Sequence, residues 1–481
     1  MRRRFLVATT AVVLAIACAR NPVTGKSELA LVSESQEIEL GKQSAQQVQQ
    51  SIGFYNDAQA QAYVSRLGKA LAARTERPQL PWEFHIVEDA SVNAFALPGG
   101  FIYITRGLMT NVNNEAELAT IVGHEIGHVT NRHSVQQISR EQVAQLGLGI
   151  GSILSPAVAK YGQIAGQGLS VLFLKYSRDA ENQADAAGFR YALNNGYDVR
   201  NMANVFRTLE RIGQAGGGAG KLPQWLETHP DPENRIKTVE MRLDSLHRDL
   251  RGATVDRDQY LRVVSGMVFG DNPRQGYFRG SAFYHPDLRF QLTFPEGWHT
   301  RNQAQAVVAV SPTQDAIIQL QSAGQSSPAQ AAQHFLSQQG IQPGNASSAS
   351  INGLPAASSY FQAQSDQGAI EGLVSFIAHG GETFGILAYT AAGKLGSYDA
   401  SFRRTAASFG ALNDPAALNV QPARIELVRL PRDLTLEQFN TQYPSSVPIE
   451  TIAIINELQP GQSTRAGQTL KRVVGGVRVG P

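Results

Sequence analysis

The sequence predicts an α+β chain of several domains, and three observations carry that prediction. The chain has 481 residues, while a single compact core rarely exceeds about 300. Helix-period apolar patterns dominate up to about residue 250, and strand-type alternation takes over after that. At 42% hydrophobic residues the composition is that of an ordinary globular protein. The expected division is a leader at 1–17, a first domain at 18–265, an α+β module at 280–412 and a small βααβ module at 424–476. The 42 Lys+Arg and 40 Asp+Glu give a net charge of +2. That balance gives no reason to expect nucleic acid as a partner. One Cys can neither close an intramolecular disulfide nor build a Cys-rich zinc site, so any metal must be held by His and carboxylates.

Met1-Arg2-Arg3-Arg4 is a basic n-region, and Phe5 to Ala17 is an uncharged apolar run. The run is too short to span a bilayer and reads as a signal peptide. Ala15-Ile16-Ala17-Cys18 resembles a bacterial lipobox, which implies lipidation of Cys18 as the new N-terminus. Processing removes three of the 42 basic residues and none of the 40 acidic ones, so the charge becomes −1. Membrane attachment then rests on the lipid and not on a basic surface.

Glu34 to Gln50 is helix-permissive. Phe84 to Val87 and Phe101 to Thr105 read as short strands, the second after the Pro98-Gly99-Gly100 turn. Asn114 to about Arg140 is a helix, with Asn114 as N-cap, Glu117 completing a capping box, and Leu118, Ile121, Val122 and Val129 as its apolar face. Gly123 and Gly127 within it suggest that something packs closely there, such as a strand. Residues 142–174 are uncharged apart from Lys160 and read as a buried helix pair or a lid. Glu181 to Asn194 is a further helix, ended by Asn195-Gly196. A glycine-rich stretch at 216–220 precedes a helix from Pro230 to Leu250, and a domain boundary is expected at 255–280. Leu288 to Phe294 alternates as a half-buried strand, and Val307 to Val310 and Ala316 to Leu320 follow. Ser327-Pro328 opens a short helix. This module's pattern weakly resembles PsbP-like domains. After a linker at 413–423, the order strand, helix, helix, strand resembles a LysM module, with Arg432-Asp433-Leu434-Thr435 in place of the usual Gly-Asp-Thr-Leu opening. That resemblance implies peptidoglycan as a partner for 424–476.

The chemistry sits in His124-Glu125-Ile126-Gly127-His128. Residues four apart leave a helix on one face, so both imidazoles can share a metal, and Glu125 stands beside them for the activated water. Composition alone would produce this pattern in only about 2% of such chains. Catalytic zinc needs a third protein ligand and one open position. His133, nine residues after His124, points to the opposite side of a straight helix and reads as a helix-end or structural residue. Glu181 can bind the metal, while Asp185, four on, can accept the outer N–H of a ligand His. His229 follows the glycine-rich stretch and could move. It could donate to the oxyanion or occupy the open position.

Asn93-Ala94-Phe95-Ala96-Leu97-Pro98-Gly99-Gly100, His124-Glu125-x-x-His128 with Arg132-His133, Glu181-x-Gln183-Ala184-Asp185 and His229 to Ile236 together resemble the HtpX/CAAX-prenyl-protease-like zinc metallopeptidases. Their soluble periplasmic lipoprotein members are the nearest likeness, over about residues 21–245. The resemblance implies a mostly helical gluzincin fold with a small sheet whose edge strand flanks the cleft. It implies one Zn2+ per chain on His124, His128 and Glu181, with Glu125 as catalytic glutamate. Arg235 is expected to form an ion pair around the site, and Asn93 and Ala94 to meet an extended polypeptide substrate. The expected location is the periplasmic side of the bacterial envelope, lipid-anchored, at the outer membrane.

Overall fold

The computed structural model describes residues 18–147, 176–215, 224–365, 368–459 and 461–476. The leader at 1–17 and most of the uncharged stretch at 142–174 lie outside the described residues. Among the described residues no helix is long and apolar enough to cross a membrane. The chain divides into two compact units, 1–270 with 424–474, and 271–423 with 475–481.

The first unit opens with a two-stranded antiparallel ribbon, β1 (Cys18–Arg20) and β2 (Ser27–Leu29). Helix α1 (Glu34–Ser51) follows, started by a capping box between Ser33 and Gln36. Helix α2 (Ala58–Ala72) starts at the Asp57 cap. Strands β3 (Glu83–Val87), β4 (Ala94–Leu97) and β5 (Phe101–Thr105) form a sheet in the order β3-β5-β4. In it β3 runs parallel to β5 and β4 antiparallel. Alternation sends Phe84, Ile86, Ala94, Ala96, Ile102 and Ile104 to one face. That face packs against α2 and against Leu118, Ile121, Val122 and Ile126 of a helix that follows the sheet. Val87, Leu97, Phe101 and Tyr103 line the other face beneath Val48 of α1.

Next come α3 (Arg106–Asn111), α4 (Glu115–Thr130), α5 (His133–Gly147), α6 (Arg178–Asn194), α7 (Asn201–Ala215), α8 (Gln224–Thr228), α9 (Pro232–Asp244) and α10 (Arg257–Val264). Asn114 caps α4 by accepting from Glu117 N at 2.8 Å. The Glu117 carboxylate accepts from Asn113 N and Asn114 Nδ2, so the expected box reaches one residue further back. The single helix expected from Asn114 to Arg140 is broken. Asn131 Nδ2 donates to Gly127 O at 2.8 Å, and Arg132 turns left-handed at φ 58°. The Arg132 side chain holds the break by donating to Glu37 Oε2 and Val32 O. Glu37 also takes Arg77, whose Nη1 reaches Val129 O at the end of α4.

The close neighbour of Gly123 and Gly127 is helix α6 and not a strand. A Cβ on Gly123 would lie 3.1 Å from Gly188 Cα, and one on Gly127 would lie 2.9 Å from Ala184 O. Small residues let two helix backbones touch here.

The second unit is antiparallel sheet with helices. Strands β6 (Tyr277–Arg279), β7 (Ala282–His285) and β8 (Phe290–Thr293) come first, then β9 (His299–Asn302), β10 (Ala306–Val310) and β11 (Ala316–Ser322). Helix α11 (Pro328–Leu336) has a Ser327–Gln330 capping box. Strands β12 (Ile341–Ile351), β13 (Leu354–Ser365), β14 (Gly368–His379) and β15 (Glu382–Ala391) precede α12 (Leu395–Ala407) and β16 (Gly410–Ala411). The sheet orders are β12-β13-β14-β15-β11-β10-β9 and β16-β8-β7-β6. Phe283, Phe290, Ile318, Ile386, Phe402 and Phe409 sit in its main core. A short helix, α13 (Pro415–Leu418), lies within the expected linker.

The last segment consists of β17 (Arg424–Arg429), β18 (Leu434–Thr435), α14 (Leu436–Gln442), α15 (Ile449–Ile455), β19 (Ser463–Thr464) and β20 (Thr469–Val474). Strand β17 pairs antiparallel with β20, so strand, helix, helix, strand is the order found. The segment belongs to the first unit. Ile425 N donates to Met267 O, Gly266 N to Ile425 O, and Arg211 Nη2 to Leu458 O. Lys471 Nζ donates to Thr110 O and Val112 O.

Candidate metal centre

Helix α4 projects His124 and His128 from one face, and α6, lying against it, brings up Glu181 and Asp185. Ligand atoms of His124, His128, Glu181 and His229 all lie within 4.8 Å of one another, and all four residues are buried. His124 Nε2 and His128 Nε2 are 3.0 Å apart. The Glu181 carboxylate is 3.5 Å from each of these nitrogens.

Hydrogen bonds on the outer side of each ring fix its tautomer. His124 Nδ1–H donates to Asp185 Oδ1 at 2.8 Å, which leaves Nε2 as a lone pair. His133 Nε2–H donates to Gln183 Oε1 at 3.1 Å, so its Nδ1 is free to accept. It accepts from His128 Nδ1–H at 2.9 Å, and His128 Nε2 is therefore also a lone pair. Two lone pairs and a carboxylate converge on one buried point. Such a donor set is unfavourable without a cation and fits zinc ligation by two imidazoles and a carboxylate.

The electrostatics follow from burial and neighbours. Burial pushes the His128 imidazole well below its ordinary pKa, helped by the adjacent His124 and His133. Burial also lowers His133, to about 4. Both rings stay neutral, as ligation and its support require. Burial would raise the Glu181 carboxyl, but His229 with His124 and Arg235 outweighs it and holds the pKa below the ordinary value. Asp185 is held well below the carboxylate range. Burial opposes this, and Arg235 and His124 overcome it.

Arg235, from α9, is the cation of this surround. Its Nε and Nη2 reach Asp185 at 2.8 and 2.5 Å, and its Nη1 lies 3.4 Å from Glu181. Its guanidinium lies over the rings of both Phe206 and Trp225, 4.4 and 4.5 Å from their centroids. Trp225 also packs on His229 and donates from Nε1 toward Glu125 Oε1 at 3.5 Å. Glu125 itself is 1% exposed. Sequence reasoning named Gln183 in its motif without giving it a role, and passed over Trp225 and Tyr176, which stacks on His128. An aromatic four residues before His229 was the one available signal.

His229 is seated in the centre. Its Nδ1 is 2.9 Å from Glu181 Oε1 and 3.3 Å from His124 Nε2. Burial would lower its pKa, but the Glu181 charge and hydrogen bond raise it.

Strand β4 flanks this site. Thr105 N donates to Asn93 O, which makes Asn93 and Thr105 a hydrogen-bonded pair. Register then ties Phe95 to Tyr103 and Leu97 to Phe101, so the backbone groups of Ala94 and Ala96 point away from β5. Trp225 N reaches Val92 O on that same outer side. The Ala94 side chain is fully buried, and the Asn93 Oδ1 is buried without a partner. Cys18 stands at the start of β1, paired with Leu29.

A profile of Peptidase family M48 matches residues 58–243. The beta-barrel assembly-enhancing protease of Yersinia pestis is 28% identical over 234 residues, 47% of this chain and 47% of that protein. The mitochondrial metalloendopeptidase OMA1 of Arabidopsis thaliana is 34% identical over 174 residues, 36% of this chain and 33% of that one. The chain thus spans less than half the length of these relatives. The solved structure of cyanobacterial PsbP from Synechocystis aligns with 28% of this chain and 95% of its own, at 15% identity and a TM-score of 0.24. Residues 58–243, which hold every group of the centre just described, are a domain of the metallopeptidase family M48.

Proposed function

We propose that the protein is a zinc-dependent endopeptidase, lipid-anchored through Cys18 on the periplasmic side of the bacterial envelope at the outer membrane. Its substrates are extended segments of exposed or misfolded envelope proteins. The observation that carries this reading is the convergence of two lone-pair imidazoles and Glu181, with Glu125 next to His124 on the same helix. His124, His128 and Glu181 hold one zinc ion. Bound there, zinc would lower the pKa of a water toward about 7 and polarise the scissile carbonyl. The Glu125 carboxylate takes the proton of the attacking water and hands it to the leaving amine. Asp185, fixed by Arg235, keeps His124 oriented. The outward N–H and C=O groups of Ala94 and Ala96 offer a ladder to an extended peptide, and the free Asn93 Oδ1 offers one more acceptor.

His229 occupies the open side of the centre at rest and must leave it for substrate to enter. Its position beside Glu181 and His124 supports this role. A test is casein digestion by the parent and Glu125→Gln. Cleavage by the parent alone is expected, and equal proteolysis in both would sink the mechanism. In His229→Ala, zinc retention and peptidase activity should both change, and parental values for both would remove the role given to His229.

A second reading is an envelope assembly factor or wall-bound scaffold with limited proteolysis. The name of the Yersinia relative, which joins assembly to protease, favours it. Sedimentation of the full chain with purified peptidoglycan tests the part given to 424–476.

A further inference from the structure

Four rings cross the sheet on the face opposite α4, one per chain segment. Phe54, bridged to Val87, stacks on His85 of β3 at 4.3 Å and 3°. His85 stacks on Tyr103 of β5 at 6.0 Å, and Tyr103 on Phe95 of β4 at 5.1 Å. His85, Tyr103 and Phe95 are register partners, so the row runs along the hydrogen-bonding direction of the sheet. It ends on the outer edge, where Phe95 is only half-buried.

The next step of that row lies outside the chain. A peptide adding to β4 sits about 4.8 Å beyond it. It pairs through Ala94 and Ala96, whose backbone groups point outward. The peptide residue opposite Phe95 then projects its side chain to the ring-bearing face. In an antiparallel pairing this is a non-hydrogen-bonded pair, the kind in which facing side chains come closest. The alternate peptide residues, opposite Ala94 and Ala96, project to the α4 side, where His124 and Glu125 lie. The two faces therefore read different residues of the same peptide.

We propose that Phe95 is a specificity-determining residue, and that it selects substrates carrying an aromatic or large aliphatic side chain at one fixed position relative to the cut, as the fifth member of the row. This rests on the peptidase reading above. Apolar cross-strand pairing and ring stacking favour such a residue by about three- to ten-fold over a small polar one.

The experiment is mass-spectrometric mapping of cleavage sites made by the full chain in unfolded casein and in a proteome-derived peptide mixture. The parent should show one position enriched in Phe, Tyr, Trp or Leu. Phe95→Ala should lose that enrichment among the sites it still cuts. Phe95→Arg should replace it with Asp and Glu at the same position, a gain that misfolding cannot produce. An unchanged preference in both variants, or a uniform loss at every site, would overturn the proposal while leaving the peptidase reading intact. A parent that cuts nothing, like its Glu125→Gln control, would overturn the peptidase reading and this inference with it.

Discussion

His133 shows what spacing can and cannot tell at the scale of single residues. The four-residue intervals of His124 to His128 and Glu181 to Asp185 were legible, because a helix repeats every 3.6 residues and puts each pair on one face. The nine-residue interval gave the wrong direction for His133, because it assumed a straight helix. The break at Asn131 and Arg132 turns the chain back, and His133 accepts the outer N–H of His128. His133→Phe removes that acceptor and leaves a buried N–H unpaired. Zinc affinity should fall about 10- to 100-fold, measured by competition with a chelator. Retention equal to the parent would show that the ring bond does not support ligation. Arg235 is a sharper case. Arg235→Met leaves the Asp185 carboxylate, 1% exposed, without its cation. Removing one partner of a buried pair costs about 3–5 kcal/mol, so denaturant unfolding of the metal-free protein should shift by that order.

At the scale of elements, most strands and helices were legible from alternation, caps and turn residues. Their partners were not. The close approach to Gly123 and Gly127 was foreseen, but the neighbour is helix α6, because its own Gly188 lets the backbones meet. A Cβ on Gly188 would lie 2.7 Å from His124 N and 3.1 Å from Gly123 C. These are backbone atoms and cannot swing aside. Gly188→Ala should therefore push α6 from α4 and separate Glu181 from the two histidines. Overpacking of this kind costs about 1–3 kcal/mol. The melting temperature and the zinc affinity should fall together. A lower melting temperature with parental zinc affinity would mean that the helix pair yields elsewhere. The break after α4 was hidden for a similar reason. It is held by Glu37 and Val32, about a hundred residues earlier in the chain, and no local pattern records that contact.

At the scale of the molecule, the change in periodicity was legible in the sequence, but the division into two compact units, with the last segment inside the first, was not. Residues 424–474 join the first unit through polar contacts that only the fold brings together. Lys471 is the chief of these. It is fully buried, and its ammonium is held by Thr110 O and Val112 O just ahead of α4. Burial drives its pKa down to about 7 and the nearby Arg257 adds to this, while Glu117 and Glu457 oppose it. The unfolded chain keeps the ordinary lysine value near about 10.4. Below pH 7 both states carry the proton, and the burial penalty is present in full. Between about 7 and 10 the folded state has released the proton while the unfolded state still binds it. Stability must then rise with pH, by up to about 1.4 kcal/mol per unit from this one group. Lys471→Met has no proton to release. The difference in unfolding free energy between parent and variant should grow in the parent's favour from pH 7 to 10 and stay flat from pH 5 to 6.5. Urea unfolding at a series of pH values measures it. Parallel curves across the whole range would mean that Lys471 keeps its charge, and that the carbonyls of Thr110 and Val112 compensate its burial.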